Sequence, residues 1–192
     1  MSINRFHVKY WERAALAGLF LAIALPVDAQ TVEELTATPD AAAESFIRSV
    51  RAIQWSTAAL LLSPEAAEHF RETVTMMADA DTTGSIREYL VGTDSTGLLA
   101  LTPEEIFSRS ISAVIEDMPG LMHALYDRDD DVIGHVQEGG ADAHVVYRTT
   151  ARLSGAVSEV KVMQLRRGPT GWRVRWSDEL EVLDAALRGV GR

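Results

Sequence analysis

The chain has 192 residues, 47% of them apolar and 24% charged, with a formal net charge of −10. Those proportions fit one folded domain and exclude both a disordered chain and a multi-span membrane protein. The acidic balance argues against nucleic acid and anionic lipid surfaces as partners, since both need basic patches to displace counterions.

Residues 1–29 read as a secretory signal peptide. Arg5, Lys9 and Arg13 give a basic start, Ala14 to Leu25 is an unbroken apolar run, and Val27-Asp28-Ala29 offers a cleavage site after Pro26. The run is shorter than the roughly 20 residues of a membrane-spanning helix, so membrane contact is expected only through this segment before cleavage. The alternative is a short retained anchor. Cysteine is absent, which removes disulfides, thiolate metal sites and cysteine nucleophiles, so an exported domain must rest on its core alone. A periplasmic or secreted bacterial setting is expected.

Residues 30–39 form a polar leader, expected to be flexible, and 40–192 one domain. Pro39-Asp40 opens a helix whose apolar positions Phe46, Ile47, Val50, Ile53, Ala58 and Leu61 recur at helical spacing. Ser63-Pro64-Glu65 starts a second helix, because Ser caps and Pro suits the first turn. A short helix over 86–91 ends at Gly92, and 92–97 is a loop by composition. Thr102-Pro103-Glu104-Glu105 is a capping box ahead of the face Ile106, Phe107, Ile111 and Val114. The stretch 121–126 adds a turn or two.

After Asp131 the chain turns to β-branched and aromatic residues, with strands expected over 132–136, 143–153, 157–166 and 172–177 between glycine-rich hairpin breaks. Val145, Tyr147, Thr149, Ala151 and Leu153 alternate with polar neighbours, as in a half-buried strand. Trp172, Val174 and Trp176 do the same against Arg173 and Arg175, so the tryptophans are expected inward and the arginines in water. Helices first and a meander second predict an α+β fold, with N-terminal helices packed on a curved antiparallel sheet in a cone-like form.

That order, with Leu61–Phe70 as a helix break, Gly139–Leu153 as a strand and Gly171–Trp176 as a closing strand, resembles the nuclear transport factor 2-like superfamily. The resemblance implies a cone-shaped α+β domain belonging to a class that holds enzymes, ligand carriers and interaction modules. Its enzymes use acidic and aromatic groups deep in the cone.

Several patterns carry chemistry. Asp127, Asp129 and Asp131, with Glu138, fall at calcium-loop positions, but the sharp-turn glycine is missing, so a solvated acidic turn is expected there. Asp81-Thr82-Thr83-Gly84 and Asp94-Ser95-Thr96-Gly97 resemble aspartic-protease turns with one residue too many, and polar turns are expected. His135 and His144 flank Gly139-Gly140 and could face each other, with Glu138, Asp142 or Glu159 beside them. The aromatics Trp55, Tyr89, Tyr147, Trp172 and Trp176 fit a pocket floor for a small apolar or amphipathic ligand, with Glu159 as its polar member. Core packing explains the same aromatics without a ligand. No cofactor is expected. The expected function is therefore a ligand-binding or protein-interaction module, with a homodimer or partner on the outer sheet face. The alternative is a small hydrolase or isomerase using Asp178 or Glu159.

Overall fold

The computed structural model describes residues 31–152 and 157–190; the expected export signal lies outside them. Eight helices come first: α1 (Val32–Leu35), α2 (Pro39–Arg51), α3 (Trp55–Leu60), α4 (Pro64–Ala80), α5 (Ser85–Val91), α6 (Ser95–Ala100), α7 (Pro103–Asp117) and α8 (Pro119–Tyr126). Four strands follow, β1 (Arg128–Glu138), β2 (Asp142–Ala151), β3 (Ser158–Gly168) and β4 (Gly171–Trp176), and then α9 (Asp178–Gly189). The strands form one antiparallel meander in the order β1-β2-β3-β4, open rather than closed into a barrel, with the helices packed against it. This is the expected α+β class. No helix among the described residues is long and apolar enough to cross a membrane.

The helix starts follow from local hydrogen bonding. Thr38, Ser63 and Thr102 each accept a bond from the amide three residues on, and each is followed by proline at the first helical position. At Thr102 the box closes both ways, the Glu105 carboxylate accepting from the Thr102 amide at 2.9 Å. Between the layers lie Phe46 of α2, Phe70 of α4 and Phe107 of α7, the last two edge-to-face at 4.8 Å. They meet Val145, Tyr147, Met163, Leu165 and Val174 from the inner sheet face and Leu180, Leu183 and Leu187 from α9.

Four expectations about elements change. The helix expected from Pro39 to Leu61 is broken at 52–54, where Ile53 takes φ 56°. The Gln54 amide donates to the Ser49 carbonyl and the Ile53 amide to that of Val50, a helix-closing pattern that normally uses glycine at the left-handed position. The expected loop over 92–97 contains the start of α6, because Asp94 accepts from the Gly97 amide at 2.8 Å. The acidic run is strand from Arg128 onward, so Asp129 and Asp131 are extended and cannot wrap a cation. Among the described residues no group of three or more His, Asp or Glu is placed to hold a metal. Finally, Ser177 caps α9, a helix the strand-period reading did not reach.

The described part of the leader makes hydrogen bonds to itself and to the sheet. Thr31 caps α1, and Thr36 is fully buried with its hydroxyl 2.9 Å from the Thr170 carbonyl. The Thr36 carbonyl in turn accepts from the Trp172 amide at 2.8 Å. Further along the same edge of β4, the one away from β3, the Val174 amide donates to Leu61 and the Val174 carbonyl accepts from Ser63. A local register slip makes Arg175 the extra residue of a bulge, so Trp176 stands opposite Gln164. Trp172 is 3% exposed, as expected of a core residue, whereas Trp176 is only half-buried, against the rim of the core. Arg173, expected in water, is half-buried and donates to the Thr170 hydroxyl at 2.8 Å.

Gly171 has φ +106°, and a Cβ there would lie 2.6 Å from the Thr36 carbonyl oxygen. Gly171→Ala is therefore expected to separate the leader from the β3–β4 turn and cost several kcal/mol. Gly140→Ala, with nothing within 4 Å, is expected to change little. Urea midpoints of the two variants check this.

Candidate functional site

The inner face of β1 carries an ionic cluster away from water. Arg128, with 12% side-chain exposure, lies 3.3 Å from Asp130 and 3.2 Å from Glu179 of α9, and both carboxylates have no exposure. These contacts are within ion-pair distance but out of line for hydrogen bonds, so charge rather than directionality holds them. The remaining carboxylate oxygens are served by neutral donors. The Tyr147 hydroxyl donates to Glu179 at 2.8 Å, and the Thr149 hydroxyl to Asp130 at 2.6 Å. Glu179 also sits in the first turn of α9, where the helix dipole favours a negative charge. Burial, and then the adjacent Glu179 charge, push the Tyr147 hydroxyl well above its usual titration range.

Beside this cluster, between α2 and β1, runs an open groove of about 560 Å³. Its helical wall is Glu44, Ile47, Arg48, Arg51 and Ala52, which share one face at helical spacing. Its other wall is Asp130 and Val132 of β1, and Tyr126 closes one end. The Asp130 side chain is fully buried while the residue as a whole is half-buried, so what it shows the groove is backbone. Ile53 follows the last groove residue of α2, and a left-handed β-branched residue is a genuine outlier of the kind that gathers at functional sites.

None of the five residues expected to line a pocket lines this groove. Trp55 is 3% exposed at the start of α3, its indole N–H buried without a hydrogen-bond partner among the described residues. Trp172 lies in the core and Tyr147 in the ionic cluster, whereas Trp176 meets the His69 ring edge-on at 5.3 Å. Glu159 is exposed on β3, opposite Thr149. Tyr89 bonds Asp117 at 2.8 Å, and burial first, then that bond, push its hydroxyl up to about 12. The groove residues were missed because Glu44, Ile47, Arg48 and Arg51 read as an ordinary helix face. The one usable signal was the alternation of Arg128, Asp130 and Val132, which marks them as one face of a strand.

The histidines also part. Glu138 pairs with Asp142, leaving a three-residue turn, so His135 stands opposite Val145 and His144 opposite Val136. A two-residue turn would have paired the histidines; the added residue puts them on opposite faces. His135 bonds Asp40 of α2 at 2.9 Å, and His144 bonds Glu138 at 3.2 Å. Asp178 pairs with Lys161 at 3.3 Å. The protease-like turns are caps: Asp81 is held at about 2, below its usual 3.8, chiefly by the Thr83 hydroxyl and the Ile86 amide. Comparison with protein-family models, curated proteins and solved structures finds no match for this chain.

Removing Arg128 would leave two buried carboxylates facing each other, so Arg128→Met is expected to cost about 3–5 kcal/mol. The Tyr147 hydroxyl, raised in the fold from its usual 10.0, stabilises fully below that value. Its contribution is lost as pH rises further, because only the unfolded chain then releases the proton. Urea midpoints between pH 8 and 11.5 are expected to fall more steeply for the wild type than for Tyr147→Phe.

Proposed function

We propose that the protein is an exported binding module that holds a small amphipathic ligand in the groove between α2 and β1. The groove itself carries this reading. Its volume of about 560 Å³ lies within the range of roughly 300–1,000 Å³ usual for small-molecule sites. It offers apolar surface from Ile47, Ala52 and Val132 next to charged groups, which is what an amphipathic guest requires. The helix-then-meander order, with the helices packed against the sheet, supports a kinship with nuclear transport factor 2-like proteins, a class that includes ligand carriers. The basic start and apolar run of residues 1–29 support export. A catalytic reading has less behind it, since Glu159 is exposed and Asp178 is tied to Lys161.

Titration with the uncharged dye Nile red is expected to give blue-shifted emission that saturates near one equivalent. Ala52 is exposed and lines the groove, so Ala52→Trp is expected to block uptake without lowering the melting temperature. Equal uptake by the folded variant defeats the proposal.

One observation favours a second site for a partner. Val136 is 65% exposed and Val160 63% exposed, and Val162 pairs with Val146 on the outer sheet face. We propose self-association through this face as the companion reading. Sedimentation velocity is expected to show a dimer that Val162→Lys converts to monomer.

A further inference from the structure

We infer that the guest of this groove is a carboxylate-bearing amphiphile, its head held by Arg48 and Arg51 and its chain lying on Ile47, Ala52, Val132 and Tyr126. The inference rests on the groove reading above and adds the sign and chemistry of the ligand. The two arginines lie one helical turn apart and project from the same face. Arg48 is exposed and has no carboxylate within 4 Å among the described residues, although Glu44 stands one turn before it. Among the described residues Arg51 reaches only Asp129, at 3.6 Å, and Asp129 is already engaged by Arg152. The helical wall thus sets two guanidinium groups against the single carboxylate of Glu44, with Asp129 shared between Arg51 and Arg152.

The strand wall offers donors rather than acid. The Asp130 carboxylate points away, enclosed by Arg128 and Thr149. The Arg152 amide donates to the Asp127 carbonyl at 2.9 Å, which makes Asp127 and Arg152 a hydrogen-bonded pair of the antiparallel ladder. Alternation along the ladder then turns the amides of Asp130 and Val132 away from β2, toward the free edge. An oxyanion at this edge can accept from a backbone N–H and from a guanidinium fork together, and charge-assisted bonds of that kind are the strong ones. Against it stand Glu44 and the net charge of −10. Screening confines the exposed charges of the rest of the surface to about 8 Å at physiological salt, so the local cations decide. A carboxylate presents the planar pair of oxygens that a guanidinium fork binds bidentately.

Calorimetric titration of the full chain with decanoate, decanol and decyltrimethylammonium separates the alternatives. Decanoate is expected to bind at least about tenfold tighter than decanol, to lose about tenfold in Arg48→Gln, and to weaken as salt is raised. Equal affinity for the three probes, preference for the cation, no binding of any probe, or an unchanged Arg48→Gln overturns the carboxylate inference. The Nile red result then still decides the groove reading separately. Unchanged decanoate binding in folded Ala52→Trp overturns both.

Discussion

Arg128 stands between the carboxylates of Asp130 and Glu179 with almost no access to water, and removing such ions from water costs several kcal/mol each. The surroundings answer that cost. β1 must already be a strand at Arg128, so that Arg128 and Asp130 point inward together. β2 must supply Tyr147 and Thr149 as neutral donors, because two carboxylates against one guanidinium leave an excess negative charge. The last helix must return to the sheet and present its positive N-terminal end with Glu179 in its first turn. One cluster thereby ties the first strand, the second strand and the last helix, which are far apart in sequence.

The two sheet edges are treated differently. Residues 61–63 bond to β4 along its outer edge, and the chain before α2 clasps the β3–β4 turn, so that edge is closed by backbone. β1 instead keeps a free edge guarded by charge and irregularity. Asp129 and Asp131 lie along it, Ile133 forms a bulge, and Arg51 reaches over to Asp129. An exposed ion pair of that kind is worth about 0–1 kcal/mol, so it ties Arg51 to β1 only weakly. The left-handed turn at Ile53, costing about 1–2 kcal/mol, sends the chain away from β1 into α3. The last turn of α2 is left uncovered and available as a wall of the groove.

What the sequence determined by itself was whatever is settled within a few residues. Ser63 and Thr102 announce helices because a cap bonds three residues ahead. Phe46, Val50, Phe107 and Ile111 announce buried faces by their spacing, and Val145, Tyr147 and Val174 announce inward strand positions. From these the α+β class was legible, together with most of the core. The tertiary structure decided the register, the bulges and the meeting of charges. A turn of three residues rather than two separated His135 from His144, and one extra residue at Arg175 turned Trp176 out of the line of Trp172 and Val174. An acidic run that looks solvated by composition gave Asp130 to a buried ion cluster, because the Thr149 hydroxyl that serves it lies 19 positions away and the Glu179 that shares Arg128 with it comes from the last helix. Caps and periodicity are local free energies and can be read along the chain. Strand register and charge burial are set by what packs opposite, which exists only once the chain has folded.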